Sequence, residues 1–235
     1  MFEGLFQNIT EAEKNDAIEG IISHATPRLD FFLMLVLSVS MASFGILLNS
    51  TIILIASMLI APLLYPLIAF ALGIIVTDVK LIGGSLYTFG KSIFLALIAS
   101  FLIGFLFSSA NDGAVLSFSS LSSNTSFPMM YAVVAAIAGF AAAFAMTKPH
   151  LNDTLPGVAI AVALVPPLAE AGVALSSFNW AVFSNALLLL SVNFIGIVFS
   201  AMIVFALLRF SVKKTVTQEA VKEQEKVIEK EATNA

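Results

Sequence analysis

Apolar residues run along this chain in long blocks, interrupted by turn residues and charges. No charged side chain occurs from Phe31 through Thr77, none from Gly113 through Thr147, and only Glu170 from Thr154 through Leu208. A membrane-crossing helix needs about 20 apolar residues, so these blocks have room for several. With the punctuation, the pattern predicts an all-α integral membrane protein of six spans, at 29–48, 52–76, 85–107, 128–146, 156–175 and 180–208. Asn49, Ser50 and Thr51 predict a tight polar hinge between the first two. The sixth span exceeds what a bilayer needs and is expected to tilt or to extend into the cytoplasm.

Outside the blocks lie an arm (1–27), a serine-rich segment (108–127) and a charged tail (211–235), flanking a membrane domain over 28–210. In the arm, Phe2, Leu5, Phe6 and Ile9 recur at helical spacing, which suits a helix on the inner membrane surface. Thr10 with Glu13 predicts a capping box that opens a second short helix. The arm's acidic start lacks the pattern of a cleavable signal peptide. The tail mixes Lys and Glu with few large apolar residues and predicts a solvated, partly helical or disordered extension. The Asn-x-Ser/Thr triplet at Asn124 matters only in a glycosylating host.

Composition sharpens this picture. The chain is 59% hydrophobic and 11% charged, with a mean hydropathy of +1.01, against about 25% charged residues in soluble domains. With the N terminus inside, Lys14, Arg28, Lys80, Lys91, Lys148, Arg209, Lys213, Lys214, Lys222, Lys226 and Lys230 all fall on inner segments. These are all eleven of the chain's Lys and Arg. The positive-inside rule therefore predicts a multi-pass protein of the inner membrane with both termini cytoplasmic. No basic patch interleaved with aromatics argues for nucleic acid. Absent cysteine excludes disulfides and thiolate chemistry.

Six spans divide into two sets of three, about 29–107 and 128–208, and odd-numbered halves enter the membrane from opposite sides. The middle span of each carries prolines: IAPLLYPLIAFALG holds Pro62 and Pro66, and ALVPPLAEAG holds Pro166 and Pro167. Paired Pro-interrupted spans point to an inverted-repeat transporter with its site near the bilayer centre. Spans two and five are therefore expected to be broken. Packing kinks are the plainer reading. Pro62 can be aligned with Pro166, or Pro66 with Pro167, and both registers stay open.

The segments ASMLIAPLLYPLIAFALGIIVTD (56–78) and LPGVAIAVALVPPLAEAGVAL (155–175) resemble the two signature segments of a prokaryotic hydrophobic membrane-protein family, the domain of unknown function numbered 389. NALLLLSVNFIGIVFSAMIVF in span six is similar to that family's asparagine-bearing span. The resemblance covers about 30–210. It implies a bacterial or archaeal inner-membrane protein and supplies no substrate.

Glu170 is the first candidate for a working residue. It lies about 14 residues, or roughly 20 Å, beyond Pro156, in the outer half of the membrane. Burial there would let a neutral acid carry a proton or release a cation; otherwise the carboxylate reaches outer water. Asn193 shares a helical face with Gly196 and Ser200 and reads as a hydrogen bond to another helix, or as a group that orients or seals the broken region. Asn185 and Tyr65 raise the same question more weakly. Span four, AVVAAIAGFAAAFA, presents small residues around Gly139 for close packing. Asp78 near Lys80 predicts a solvated cap at the inner surface. Asn152, Asp153 and Thr154 predict caps for span five.

Nothing favours an enzyme, since no His-Glu-x-x-His motif, phosphate loop or Gly-x-Ser-x-Gly elbow occurs. No cofactor or metal is expected. The expected function is permeation of a small solute or ion through spans two and five, involving Pro62, Tyr65, Pro66, Pro166, Pro167, Glu170 and Asn193. So small a core is expected to form a homo-oligomer in the lipid bilayer. The alternatives are a scaffold or regulatory component acting through arm and tail, and an ion channel.

Overall fold

Thr10 and Glu13 exchange the two hydrogen bonds of a capping box: Glu13 N donates to Thr10 Oγ1 at 3.3 Å, and Thr10 N donates to Glu13 Oε2 at 2.6 Å. They open α1 (Glu11–Ala25), whose Ile18, Ile21, Ile22 and Ala25 form one buried face. The computed structural model of the protein describes residues 10–107, 128–147, 156–210 and 214–234. Phe2, Leu5, Phe6, Ile9, Asn124, Asn152, Asp153 and Thr154 lie outside them. Among the described residues the chain is all-helical, without strands.

The helix α2 (Leu29–Leu47) ends where Asn49 takes a left-handed conformation, φ 49°. That turn lets Ser50 N reach Gly45 O at 2.8 Å, satisfying a carbonyl the helix end would otherwise orphan. The next helix, α3 (Thr51–Met58), folds back so closely that a Cβ on Gly45 would stand 2.9 Å from Leu54 N. Span two then breaks over 59–63. Pro62 has no N–H to donate and biases Ala61 away from helical geometry. The helix resumes as α4 (Leu64–Val76). Pro66 falls in the first turn of α4, where an absent N–H costs nothing.

The 29 residues of α5 (Val79–Phe107) extend about 43 Å, against about 30 Å of bilayer hydrocarbon. There follow α6 (Pro128–Met146), α7 (Pro156–Ser176), α8 (Trp180–Leu207) and α9 (Lys214–Asn234). Three helices, α2, α5 and α8, are long and apolar enough to cross a membrane. The segments Leu64–Val76, Met130–Met146 and Leu164–Ser176 are apolar but shorter. The whole is compatible with a membrane protein.

Helix directions follow from small residues. Gly172 faces Ser100 and Leu97, and Gly104 faces Ser176 and Val173, so α5 and α7 run parallel. Gly196 faces Ala132 and Ala135, and Gly139 faces Ile197 and Ser200, so α6 and α8 run parallel too. The Lys91 ammonium over the Phe32 ring, at 4.5 Å, and the pair Phe44–Phe107, at 5.3 Å, give the same result for α2 and α5.

Four expectations need correction. Span five is unbroken: α7 runs through Pro166 and Pro167, although each leaves the carbonyl four residues earlier without a helical donor. Asp78 is 4% exposed, not solvated, and its Oδ1 accepts from Leu81 N at 2.9 Å, so it caps the start of α5. Lys91 lies inside α5 rather than in an inner loop. The tail is docked, because α9 packs on α1 with Thr217 and Ala220 buried. Lys80 Nζ meets Glu225 Oε1 at 3.1 Å, but both side chains are at least half exposed, so this pair adds at most about 1 kcal/mol.

Two turns share a design. Thr77 (φ 58°) follows α4 and Phe178 (φ 52°) follows α7. In the first, Asp78 N donates to Gly73 O at 3.0 Å; in the second, Asn179 N donates to Ala174 O at 2.9 Å. Each next side chain then caps the following helix, Asp78 through Leu81 N and Asn179 through Val182 N at 3.2 Å. Asp78→Ala and Asn179→Ala are each expected to cost about 1 kcal/mol. Thermal unfolding of the purified protein in detergent measures this, and an unchanged midpoint would remove the capping role.

Candidate functional site

Both pieces of span two, α3 and α4, pack against α7. The two proline segments therefore meet, one as a break and one as a continuous helix. At the break, Ser38 Oγ donates to Ser57 O at 2.8 Å and Ser57 Oγ donates to Leu54 O at 2.6 Å. These buried hydroxyls, both on residues with no exposed surface, occupy carbonyls at the end of α3. Ser57 O also accepts from Ile60 N at 3.2 Å, so Ser38 adds a second donor to a carbonyl that the turn already serves. Leu59 faces outward, while Ala61 and Leu63 turn in.

Tyr65 stands in the first turn of α4. The His24 imidazole, at the end of α1, stacks on its ring with centroids 4.6 Å apart and planes at 20°. A contact of His24 Nδ1 with Gly20 O at 2.8 Å holds the imidazole. The arm thus reaches the lower edge of the break. Pro66 is buried in α4. In α7, Pro167 is buried and Pro166 is half-buried.

Glu170 is 8% exposed, two residues before Gly172 and hence near the level of Ser100 on α5. Asn193 is 4% exposed and precedes Phe194, whose ring stacks on Phe89 at 5.0 Å and lies 5.8 Å from Phe70. Measured along α5, these levels differ by roughly 12 Å. Glu170 and Asn193 therefore stand at different heights along α5.

Asn193 and Ser200 are buried and Gly196 half-buried on α8. Gly139 and Gly196 form the close seam between α6 and α8, with Ala132, Ala135, Ile197 and Ser200 as neighbours. Asn185 is half-buried near the start of α8. Among the described residues, no group of three His, Asp or Glu side chains could hold a metal ion.

Sequence reasoning missed the Ser38–Ser57 stitch, the His24–Tyr65 stack, the Asn179 cap and the interlock of Ser100 and Gly104 with Gly172 and Ser176. Only the last left a readable sign, small residues four apart on two helices.

Residues 58–199 match the family described as domain of unknown function (DUF389). The chain belongs to this family. The matched stretch runs from the end of α3 into α8 and includes both proline segments, Glu170 and Asn193. An uncharacterized protein of Methanocaldococcus jannaschii is 34% identical over 174 residues, 74% of this chain and 52% of that protein. The chain thus spans about half the length of the curated relative it matches. No solved structure matches it.

Proposed function

We propose that this DUF389 protein is a non-enzymatic permease for a small solute or ion. In this reading it has two inverted three-span halves, with the pathway where spans two and five meet. Both termini lie on the cytoplasmic side of a cell membrane, and the unit works as a homo-oligomer.

The carrying observation is a repeat of burial and turns. From Asp78 to Asn179 is 101 positions, and that shift superimposes the two capped turns. Moved by 101, every buried residue of α4 except Val76 lands on a buried residue of α7. Every buried residue of α5 except Thr88 lands on one of α8. The buried residues of α2 from Leu35 onward fall on buried positions from Ala135 onward after a shift of 100. This supports the register that pairs Pro66 with Pro167 over the one that pairs Pro62 with Pro166. It makes Ala69 the counterpart of Glu170 and Ser92 the counterpart of Asn193, so the carboxylate occurs in one half alone. Corresponding Pro-interrupted spans of two such halves are where transporter sites lie, and a buried carboxylate between helices marks an ion or proton path.

The docked layer of α1 and α9 favours a second reading, a regulatory or scaffolding component whose cytoplasmic layer meets a partner. Single cysteines along 60–68 and 163–172, in a chain with none of its own, separate the two. Labelling of deep positions in membranes by a small membrane-impermeant thiol reagent is expected. Uniform protection of every position would sink the permease reading and favour the scaffold.

A further inference from the structure

We infer that the break in span two is one of two alternative breaks, and that the protein exchanges it for one at 160–164 in span five. This rests on the two-half reading above and adds the motion that such halves perform. Under the 101-residue shift the turn at 59–63 corresponds to 160–164, yet the first is a break and the second continuous helix. Two halves that match in their capped turns, in most of their burial and in the pair Pro66–Pro167 differ here, where Pro62 has Ala163 as its counterpart. A pair of halves holding different shapes at equivalent positions can trade them, and the pathway then faces the other side of the membrane.

Span five is prepared for the trade. Pro166 and Pro167 leave the carbonyls of residues 162 and 163 without helical donors, and both carbonyls fall inside 160–164. The helix holds there although its hydrogen-bond ladder is already interrupted. Two features put the break in the first half in this structure: Pro62, whose counterpart is Ala163, and a side-chain bond. Ser38 Oγ stitches Ser57 O at 2.8 Å, whereas the counterparts of these two serines are Ala138 and Val158. Without a hydroxyl at either place, the second half has no equivalent stitch for a broken span. The resting structure therefore breaks in span two and stores the alternative in span five.

Amide hydrogen exchange of the full chain in lipid nanodiscs tests this without a substrate. Residues 160–165 are expected to exchange roughly tenfold faster than 168–174 of the same helix. Pro62→Ala, which favours a continuous span two, is expected to speed exchange at 160–165. Pro166→Ala with Pro167→Ala is expected to slow it roughly tenfold. The two variants push in opposite directions, so misfolding, which would speed exchange everywhere, cannot imitate the pair. An unchanged rate at 160–165 in Pro62→Ala, or a faster one in the double variant, would overturn the exchange of breaks. Opposed responses with no flux of any ion into vesicles would keep the exchange and remove the permease. Flux without opposed responses would do the reverse.

Discussion

Gly139→Ala is expected to destabilise the protein by about 2 kcal/mol and Gly139→Leu by more. A Cβ at Gly139 would stand 2.6 Å from both Cα and O of Ile197 and would also strike Ser200 Oγ. Two of these atoms are backbone, so no rotamer change relieves the clash and α6 must move away from α8. That separation forfeits contacts along the seam from Ala132 to Ser200, which in a membrane is held by packing rather than by a hydrophobic drive. Gly83→Ala is the control, since a Cβ there meets nothing within 4 Å and Ala favours the helix by up to about 1 kcal/mol. Thermal unfolding in detergent should order the midpoints as Gly83→Ala at or above wild type, then Gly139→Ala, then Gly139→Leu. Equal midpoints for the two alanine variants would mean that the seam yields to a Cβ at Gly139 without loss.

The second large effect concerns Glu170. If a proton or cation passes its carboxylate, Glu170→Gln keeps size and hydrogen-bonding capacity and removes the charge. Flux of H⁺, Na⁺ or K⁺ into vesicles carrying the purified protein is expected to fall at least roughly tenfold. Glu170→Asp, one methylene shorter but ionisable, is expected to keep part of it. The cation that loses flux in Glu170→Gln and regains some in Glu170→Asp is the one that uses the carboxylate. Wild-type flux in Glu170→Gln would make the side chain a packing contact between helices, and a fall in thermal midpoint with no fall in flux would say the same.

Much of the fold can be read from the order of residues because its strongest signals are local. Charge-free blocks marked the helices, although the start of α5 lies at Val79 rather than at 85, the polar Asn49, Ser50 and Thr51 marked the hinge after α2, and Thr10 with Glu13 marked a cap. Proline was only half legible. Pro62 ends a helix and Pro166–Pro167 do not, and the difference lies in long-range partners: Ser38 meets the carbonyl at one break, and tertiary packing holds the other helix through its missing donors. Asp78 looked solvated because a charge at a span end usually is. Its burial comes from a turn in which it serves the next helix.

The likeness of the two capped turns was hidden for a related reason. Its clearest landmark pairs Thr77 with Phe178 and Asp78 with Asn179, four different residues performing two backbone tasks. Identity is absent there while geometry is kept. The different heights of Glu170 and Asn193 were likewise invisible, since both are simply polar residues in apolar spans until α5 supplies a ruler.

One consequence of the docked tail concerns leverage. The helix α1 leads into α2 and α9 follows α8, and the two pack together. If the halves rock against each other, that contact acts as a fulcrum: small displacements are tolerated beside it and larger ones arise far from it. Angular motion would therefore be amplified toward the ends marked by Phe107, Phe178 and Trp180, so the wide swing of the molecule belongs to the end far from α1 and α9.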